Sequence, residues 1–360
     1  MTRSITISVD QLARSQPGGI GTYARGLARG LASLDDESLR VVGLAPRGAD
    51  PVAVGDLAVP VVTAAVPLEV LTRVWPFWAI GVPRDADVVH ATSMAGPFGG
   101  GTANAVHSVA LHDLLWRDEP GASTSAGARF HESRLSLIRR RSDLRVFTSS
   151  PLLADRLVDD GIAPSRLHPV RLGVDDDATP PVAPDVVVRF LAGHGVTGPF
   201  TFYAGTREPR KNLEALILAH RAARLEVGDL GPLVLAGSSG WGGVDTDDAV
   251  VVGVVDRAVL KALYRDAAVV AYVPRAEGWG LPPVEALHQG ASVVASTTTP
   301  SVANNPEVIV VDPFDVASIA HGLLKALAMK REAVDLERRR ASVRELTWRN
   351  CALDHLAGWQ

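Results

Sequence analysis

The feature that most constrains the fold is a regular alternation, along the whole chain, of short β-rich segments with longer helical segments. The β-rich segments are short apolar runs bounded by turn residues, which is typical of strands buried on both faces of a parallel sheet. Ten segments fit this pattern: ITISVD, VVGLA, DVVHAT, SVALHD, RVFTSS, FTFYAG, PLVLAG, AVVVGV, VVAYVP and SVVAST. The sequence therefore predicts an α/β fold that occurs twice in the chain.

A stretch rich in prolines and acids, VDDDATPPVAP at 174–184, separates the two runs of alternating segments. Since one domain typically takes about 100 to 200 residues, we expect this chain to form two. The predicted organisation is an N-terminal domain at 1–175, a linker leading into the second domain at 176–198, the second domain at 199–343 and a terminal helix at 344–360. Asp175 to Asp177 also spell the metal signature D-x-D, but a solvated charge run is the favoured interpretation.

Composition excludes several classes of protein. The 36 basic and 40 acidic residues give a net charge of −4, so no global field favours nucleic acid as a partner. The single cysteine, Cys351, excludes an internal disulfide and fits a reducing compartment, which we interpret as the cytoplasm. No signal peptide or membrane-spanning segment is predicted. Peripheral contact with the inner face of a membrane is left open.

Two segments of the N-terminal half place ligand-type groups after a predicted strand. Gly18, Gly19 and Gly21 form a glycine-rich turn that opens a helix, where backbone amides and the helix dipole favour an anion. The pattern G-G-x-G is not the dinucleotide fingerprint, so a ligand-facing loop is favoured over NAD binding and over a purely structural turn. His112 and Asp113 follow a second strand, at the edge where ligands of parallel sheets collect. The alternative for His112 is a histidine that only caps the strand.

The loop GTREPRKN at 205–212 follows the first strand of the C-terminal half and carries three cations, Arg207, Arg210 and Lys211. Arginine offers a fork for two oxygens and lysine a point charge, so the loop predicts a local phosphate site. The alternative is an exposed basic loop. It is disfavoured because Gly205 and Pro209 restrict the loop geometry.

The segment RAEGWGLPPVE at 275–285 follows another strand and has an acid near each end, Glu277 and Glu285. Pro282 and Pro283 fit the first turn of a helix, so we expect the amides of residues 278–281 to be free for a phosphate and Glu285 to lie in the first turn. A carboxylate there would repel a bare phosphate, so we expect Glu277 to accept hydrogen bonds from neutral hydroxyls. Two such acids flanking cations and amides indicate a sugar nucleotide.

Three further segments have a plain structural interpretation. The terminal segment ELTWRNCALDHLAGWQ is amphipathic, and its predicted packing residues are Leu346, Ala352, Leu353, Leu356 and Trp359. Arg139 to Arg141 fit an anionic surface, although a solvated helix face is favoured. Trp75 and Trp78 fit an acceptor or a bilayer, although core or surface packing is favoured.

The segment EGWGLPPVEAL resembles the E-x₇-E motif of glycosyltransferase family 4, and GTREPRKN resembles a second motif of that family. GGIGTYARGLARGL is similar to the family's acceptor-side glycine loop, and ALHDLLW and LTWRNCALDHL to further segments in the same order, so the resemblance covers nearly the whole chain. It implies the GT-B fold, in which two Rossmann-like domains face a central cleft and a terminal helix crosses back to the N-terminal domain. It also implies retaining sugar transfer from a nucleotide sugar without a metal ion or other cofactor.

The resemblance implies roles for individual residues. Glu277 would contact hydroxyls of the donor sugar, Glu285 the ribose and Lys211 the diphosphate, with His112 near the reacting carbon. The implied catalytic set is His112, Lys211 and Glu277. The implied donor-binding set is Arg207, Arg210, Lys211, Val252, Gly253, Val254, Glu277, Gly278, Trp279, Gly280, Leu281 and Glu285. The implied acceptor or phosphate loop is Gly18, Gly19, Ile20 and Gly21, with Asp113. One departure is Arg275, where the family often has serine.

The favoured hypothesis is a retaining glycosyltransferase that moves mannose from GDP-mannose to a glycan, a lipid-linked sugar or a small molecule. One alternative is a sugar-nucleotide epimerase or hydrolase of the same shape, and a weaker one is an NAD-dependent dehydrogenase. The acceptor, the donor base and sugar, the linkage, the oligomeric state and the choice between Arg207 and Arg210 stay open.

Overall fold

The structure is a computed structural model that describes residues 2–14, 17–100, 102, 104–119, 123–174, 179–227, 230–240 and 243–360. It forms two compact units, and Val174 belongs to the first and Thr179 to the second. The chain is again part of the first unit from Leu346 to Gln360. Asp175 to Asp177 lie outside the described residues, so their predicted solvation stays a prediction. No helix in the described part of the chain has the length and apolar character needed to span a bilayer.

The first unit is built on a seven-stranded parallel sheet. In chain order its strands are β1 (Arg3–Ser8), β2 (Leu39–Arg47), β3 (Val61–Pro67), β4 (Val88–Ala91), β5 (Val106–Leu111), β6 (Arg145–Thr148) and β7 (Leu167–Pro169). Their order across the sheet is β3-β2-β1-β4-β5-β6-β7. The direction of progression reverses between β1 and β4, and the carboxyl edge at such a reversal is where open α/β sheets bind ligands.

Six helices accompany this sheet: α1 (Gly18–Ala32), α2 (Pro51–Gly55), α3 (Leu68–Val74), α4 (Leu115–Asp118), α5 (Ser125–Arg140) and α6 (Pro151–Asp159). Local sequence sets several helix starts. The side chain of Thr124 accepts a hydrogen bond from the Gly127 amide before α5, and that of Ser150 from the Leu153 amide before α6. Buried side chains from β4, β5, β6, α5 and α6 form one core of this unit.

The second unit repeats the arrangement with a six-stranded parallel sheet. Its strands are β8 (Thr201–Ala204), β9 (Leu233–Ala236), β10 (Val250–Gly253), β11 (Val269–Tyr272), β12 (Val293–Ser296) and β13 (Val308–Val311), in the order β10-β9-β8-β11-β12-β13. Its helices are α7 (Pro184–Ala192), α8 (Leu213–Glu226), α9 (Arg257–Asp266), α10 (Leu281–His288), α11 (Val316–Leu327) and α12 (Ala333–Ala341). Here the order reverses between β8 and β11.

The terminal helix, α13 (Trp348–Trp359), packs on α1 in the first unit. A Cβ added at Gly26 would lie 2.1 Å from the Trp348 ring, so glycine lets the two helices approach closely. The predicted packing face is wrong at Leu353, whose side chain is 42% exposed. The buried face instead holds Trp348, Cys351, Ala352, His355 and Trp359.

The predicted doubly occurring α/β fold is confirmed, and all ten predicted strand segments contain strands. Three strands were not predicted: β3, β7 and β13. Each of them lies at an edge of its sheet. β3 has mixed exposure, and a threonine interrupts its apolar residues, so it lacks the continuous apolar run of a central strand. β7 is only three residues long. β13 does have an apolar run, VIVV, and exposure does not explain why it was missed.

Candidate functional site

The loop between β8 and α8 is held against the end of β11 by Asn212. This residue has a left-handed backbone with φ of 60°, which asparagine tolerates better than most residues. Its side-chain amide donates to the carbonyls of Val273, at 3.1 Å, and Pro313, at 2.7 Å. Arg275 Nε donates to the Asn212 amide oxygen at 3.2 Å. These bonds fix the preceding 3₁₀ turn, Pro209–Lys211, at the point where the strand order reverses.

Lys211 and Glu277 form an ion pair at this edge of the sheet. Lys211 is 7% exposed, and the Glu277 side chain is 12% exposed. The Tyr272 hydroxyl lies between them: it accepts from Lys211 Nζ at 2.5 Å and donates to Glu277 Oε2 at 2.5 Å. We call Lys211, Tyr272 and Glu277, together with Arg210, the strand-end cluster.

Electrostatics keep the acid of this cluster ionised. Burial alone would raise the pKa of Glu277, but the charges of Lys211 and Arg210 outweigh it and hold that pKa at about 2. Burial also lowers the pKa of Lys211, while the charge of Glu277 acts to raise it. At neutral pH the cluster therefore presents a carboxylate beside cations, a combination that binds sugar hydroxyls and phosphates.

The two arginines of the basic loop lie in different places. Arg210 Nε donates to Glu208 at 2.9 Å, and its Nη1 lies 3.4 Å from Glu277 Oε2. Arg207 Nη1 instead donates to the carbonyl of Gly237, after β9, at 3.2 Å. Arg210 thus joins the strand-end cluster, whereas Arg207 lies against the neighbouring strand end.

The loop of Gly278, Trp279 and Gly280 follows the cluster and leads into α10. Gly280 has φ of 93°, and a Cβ there would lie 2.6 Å from the Thr299 side chain, so glycine is required. The Ser301 hydroxyl donates to the Gly280 carbonyl at 2.6 Å. The expectation that all amides of 278–281 are free is wrong, because the Gly278 amide donates to Glu277 Oε1 at 3.2 Å. Glu277 thereby occupies part of the place expected for a phosphate.

The prediction that Glu285 lies in the first turn of α10 is wrong. The helix begins at Leu281 and places Glu285 one turn further along. Its carboxylate accepts a hydrogen bond from the Tyr264 hydroxyl of α9 at 3.0 Å. The segment of Val252, Gly253 and Val254 ends the edge strand β10, and the Val254 side chain is 78% exposed. The structure therefore brings Lys211, Arg210 and Glu277 into contact, while the predicted donor roles of all these residues stay predictions.

In the first unit the glycine segment is the start of α1 rather than a separate turn. Gly18, Gly19, Ile20 and Gly21 are its first four residues, and the Gly21 amide donates to the Pro17 carbonyl at 3.0 Å. The amides before it belong to the set that a helix leaves without an internal partner. A Cβ at Gly18 or Gly19 would meet nothing within 4 Å, so this helix start is open to a ligand.

His112 lies at the carboxyl end of β5, as predicted. Its Nε2 donates to the Thr92 carbonyl at 2.8 Å, and the Tyr23 ring of α1 meets it edge-on with 4.8 Å between centroids. Burial lowers the pKa of His112, although the Thr92 bond and the charge of Asp113 oppose this. The neutral tautomer that fits the Thr92 bond leaves Nδ1 as an acceptor. Asp113 accepts from the Leu115 amide at 3.1 Å.

Three residues of interest were missed in the sequence. Tyr272 ends a predicted strand and was interpreted as a core residue, although ligands of parallel sheets collect at strand ends. Asn212 read only as a helix start. Asp10 ends the first predicted strand; it is fully buried, burial raises its pKa, and neither carboxylate oxygen has a hydrogen-bond partner in the described part of the chain.

The fold and the strand-end cluster together indicate the class of protein. Each sheet has the 3-2-1-4-5-6 progression of Rossmann-like domains, and the strand-end cluster lies at the reversal of the second. Residues 18–173 match the family model described as a glycosyl transferase 4-like domain, and residues 198–329 match glycosyl transferases group 1. The protein is therefore a glycosyltransferase of the GT-B type and belongs to the family 4-like enzymes.

A curated relative agrees with the family, and solved structures agree with the fold. O-antigen chain mannosyltransferase B of Escherichia coli is 31% identical over 173 residues, which cover 42% of this chain and 43% of that protein. The chain thus covers less than half the length of this relative. HepE of Anabaena, solved with UDP and glucose, has a TM-score of 0.73 at 15% identity over 99% of this chain and 98% of its own. Sucrose-phosphate synthase of Thermosynechococcus elongatus has a TM-score of 0.71 at 19% identity, over 99% and 98%.

Proposed function

We propose that the protein is a retaining mannosyltransferase that uses GDP-mannose as donor and a hydroxyl group of a glycan, a lipid-linked sugar or a small molecule as acceptor. The observation that carries the proposal is the strand-end cluster, in which Lys211 and Arg210 lie beside Glu277 at the reversal of a Rossmann-like sheet. The choice of mannose is supported by the similarity to a mannosyltransferase of Escherichia coli.

In this proposal the second unit binds the donor. The diphosphate binds Lys211 and Arg210, and the ionised Glu277 accepts hydrogen bonds from hydroxyls of the sugar. Glu285, whose carboxylate is oriented by Tyr264, binds the ribose. When the bond between sugar and phosphate breaks, negative charge develops on the leaving diphosphate, and fixed cations stabilise that charge without needing to reorganise. The proposed reaction requires no metal ion.

The first unit supplies groups for the other substrate atoms. His112 is uncharged at neutral pH because burial lowers its pKa, so it acts as a hydrogen-bond partner of a sugar hydroxyl and not as a cation. The open helix start at Gly18 and Gly19 suits an anionic or hydroxyl group. Retention requires the acceptor hydroxyl to attack the anomeric carbon on the same face from which the phosphate departs.

A ligand panel tests the donor. Thermal unfolding is measured with GDP, UDP, ADP, NADH and the corresponding sugar nucleotides. A ligand at about 100 times its Kd stabilises the folded state by about 2.7 kcal/mol, which gives a clear rise in Tm. We expect GDP and GDP-mannose to give the largest rise. A response to UDP alone contradicts the proposed base, and a response to NADH alone contradicts the proposed class of donor.

Product analysis tests the reaction. The protein is incubated with GDP-mannose, with and without a mix of mannosyl acceptors, and the anomeric configuration of the product is read by NMR. We expect acceptor-dependent transfer with the configuration of the donor kept. An altered sugar nucleotide in the absence of acceptor indicates an epimerase, and free mannose as the main product with acceptor present indicates a hydrolase. An inverted product contradicts retention.

A further inference from the structure

A network of buried hydrogen bonds ties the terminal helix α13 to the rest of the first unit. It begins at an indole N–H of α13, passes through side chains of β5, β4 and α1, and ends at a backbone carbonyl of α13. Its residues are at most 1% exposed. We call them the anchoring network, and they are, in order, Trp359, Ser108, His90, Tyr23, His355 and Cys351.

The carbonyl end of the anchoring network sets the direction of its first hydrogen bonds. The Cys351 carbonyl can only accept, so His355 Nδ1, at 2.7 Å, carries a proton. Burial lowers the pKa of His355 to about 4, so the ring is uncharged at neutral pH and its Nε2 is an acceptor. The Tyr23 hydroxyl, 2.7 Å from that nitrogen, therefore donates its proton to His355.

The remaining bonds follow from this donation. Since the one proton of the Tyr23 hydroxyl goes to His355, its oxygen accepts from His90 Nε2, at 2.8 Å. His90 Nδ1 is then an acceptor, and the Ser108 hydroxyl donates to it at 2.9 Å. The Ser108 oxygen in turn accepts from Trp359 Nε1 at 2.9 Å, and an indole N–H can only donate. Both ends of the network thus require the same order of donors and acceptors.

Tyr23 also lies against the acceptor-side groups of the first unit. Its ring meets His112 edge-on, with 4.8 Å between centroids. It stands in the second turn of α1, the helix whose start is open at Gly18 and Gly19. His90 precedes Thr92 by two residues, and the Thr92 carbonyl accepts from His112. The network therefore joins α13 to the elements that carry His112 and the open helix start.

We propose that Tyr23 is a positioning residue, whose ring the anchoring network holds against His112 so that His112 keeps a fixed place at the acceptor side. A side chain whose rotamer is locked by hydrogen bonds can hold a neighbouring functional group in a precise geometry. Tyr23 itself touches no substrate in this proposal. Only the catalytic role of His112 rests on the proposed function. The terminal helix would then contribute to transfer through Tyr23, in addition to stabilising the first unit.

Histidine NMR tests the order of the network in the unaltered protein. Long-range proton–nitrogen spectra of protein with isotope-labelled histidine show which ring nitrogen carries the proton, and one variant per histidine assigns the signals. At neutral pH we expect His90 to be protonated on Nε2 and His355 on Nδ1. The opposite tautomer of either ring, or exchange between tautomers, overturns the proposal.

Tyr23→Phe tests the positioning of His112, since it removes the hydroxyl and keeps the ring. The titratable groups near His112 include Asp113, His90 and His355, and the variant replaces none of them. Burial lowers the pKa of His112, and we expect NMR titration to show a higher pKa once the ring is no longer held in place. An unchanged pKa of His112 overturns the proposal.

Transfer kinetics of Tyr23→Phe separate this proposal from the proposed function. With saturating GDP-mannose and the mix of mannosyl acceptors, kcat is expected to fall about tenfold to 100-fold, because small misplacements of a catalytic group have effects of this order. The KM for GDP-mannose is expected to stay the same. A raised pKa of His112 with an unchanged kcat supports the positioning and contradicts the catalytic role of His112 instead.

A second variant removes the same hydrogen bond from the side of the terminal helix. His355→Leu lacks the ring nitrogen that accepts from Tyr23, so we expect the same rise in the pKa of His112 and the same fall in kcat. The double variant is expected to fall no further than either single one, because both changes remove one shared bond. Independent, additive losses in the double variant overturn the proposal.

Trp359→Phe is the matched control. It removes a hydrogen bond of the same network from the same helix and keeps an aromatic ring, but Ser108 can still donate to His90, so both bonds of Tyr23 remain. We expect a lower Tm with an unchanged pKa of His112 and unchanged transfer. Equal losses of transfer in folded Trp359→Phe and Tyr23→Phe protein would mean that the network acts only on stability, which overturns the proposal.

Discussion

The ammonium group of Lys211 contacts the carboxylate of Glu277 in a buried ion pair, although 66 positions separate the two residues in the chain. Lys211 ends the 3₁₀ turn after β8, and Glu277 follows β11, so the pair joins the two strands at which the sheet order reverses. The Tyr272 hydroxyl completes the contact. This relationship makes the pair both a structural element and the centre of the proposed donor site.

Neutralising either member of the pair is expected to affect stability and activity together. Lys211→Met leaves Glu277 with Arg210 alone, and Glu277→Gln leaves Lys211 buried without its counter-charge. Loss of one partner of a buried pair typically costs about 3 to 5 kcal/mol, and loss of a charge that stabilises a transition state about 100-fold to 1,000-fold in rate. Urea unfolding and donor-dependent transfer measure the two effects.

The exposed pair of Arg189 and Asp185 is the control for these variants. Its side chains are 69% and 65% exposed, so water screens the attraction. Asp185→Asn is expected to leave stability and transfer unchanged. Folded Lys211→Met or Glu277→Gln protein with full activity would refute the site assignment.

Removing the Tyr272 hydroxyl is expected to loosen the pair without removing a charge. Tyr272→Phe leaves Lys211 and Glu277 each without one hydrogen bond in a buried place, which costs about 1 to 3 kcal/mol. We expect kcat to fall. Lys211 and Arg210 hold the pKa of Glu277 at about 2, and the Tyr272 bond adds a smaller lowering, so its loss raises that pKa and moves only the acid limb of the pH profile to higher pH.

Tyr203→Phe is the matched control, because the Tyr203 hydroxyl donates to the backbone carbonyl of Thr206 at 3.1 Å and not to a carboxylate. It is expected to lose stability but keep the pH profile of transfer. Equal pH profiles for the Tyr272→Phe variant and the unaltered protein would contradict the role given to Tyr272.

A glycine in α1 is expected to be essential for the packing of the terminal helix. At Gly26 a Cβ would lie 2.1 Å from the Trp348 ring, and that ring belongs to a buried side chain. Gly26→Ala must displace Trp348 and is expected to cost about 1 to 3 kcal/mol, as overpacking does. At Gly19 of the same helix there is nothing within 4 Å, so Gly19→Ala is expected to be neutral or slightly stabilising. Equal Tm values for the two variants would contradict the packing argument.

A buried chain of hydrogen bonds through Tyr23, His90 and His355 predicts that the stability of the protein depends on pH. The Tyr23 hydroxyl lies 2.8 Å from His90 Nε2 and 2.7 Å from His355 Nε2, and His355 Nδ1 donates to the Cys351 carbonyl at 2.7 Å. Burial lowers the pKa of His355 to about 4, although the Cys351 bond opposes this. Between about pH 6.5 and about pH 4, His355 therefore stays neutral in the folded state, whereas in the unfolded chain it takes up a proton.

The lowered pKa of His355 sets the direction in which stability changes with pH. The contribution of His355 to stability is complete above about pH 6.5 and is lost as the pH falls towards about 4. Between pH 7 and pH 5 the loss is about 2 kcal/mol for this residue. His355→Gln is expected to reduce the drop in unfolding free energy over that range by about this amount, as measured by urea unfolding at both pH values. The same drop in both proteins would contradict the assignment.

The sequence by itself determined the repeated α/β pattern, the central strands and the loops that follow them. These properties are local: a strand buried on both faces has a continuous apolar run, and GTREPRKN and EGWGLPPVE carry their turn and helix-start residues within a few positions. The edge strands β3 and β7 were missed because β3 is partly exposed and β7 is three residues long, whereas β13 carries the apolar run VIVV and was overlooked.

Only the tertiary structure decided which of these groups meet. Arg210 reaches Glu277 while Arg207 binds the Gly237 carbonyl, and neither contact is encoded within one segment. In the terminal helix, contacts with the rest of the first unit likewise decide that His355 is buried and Leu353 is exposed. A polar side chain can be buried when partners from other elements satisfy its hydrogen bonds, and those partners are brought to it only by the folding of the whole unit.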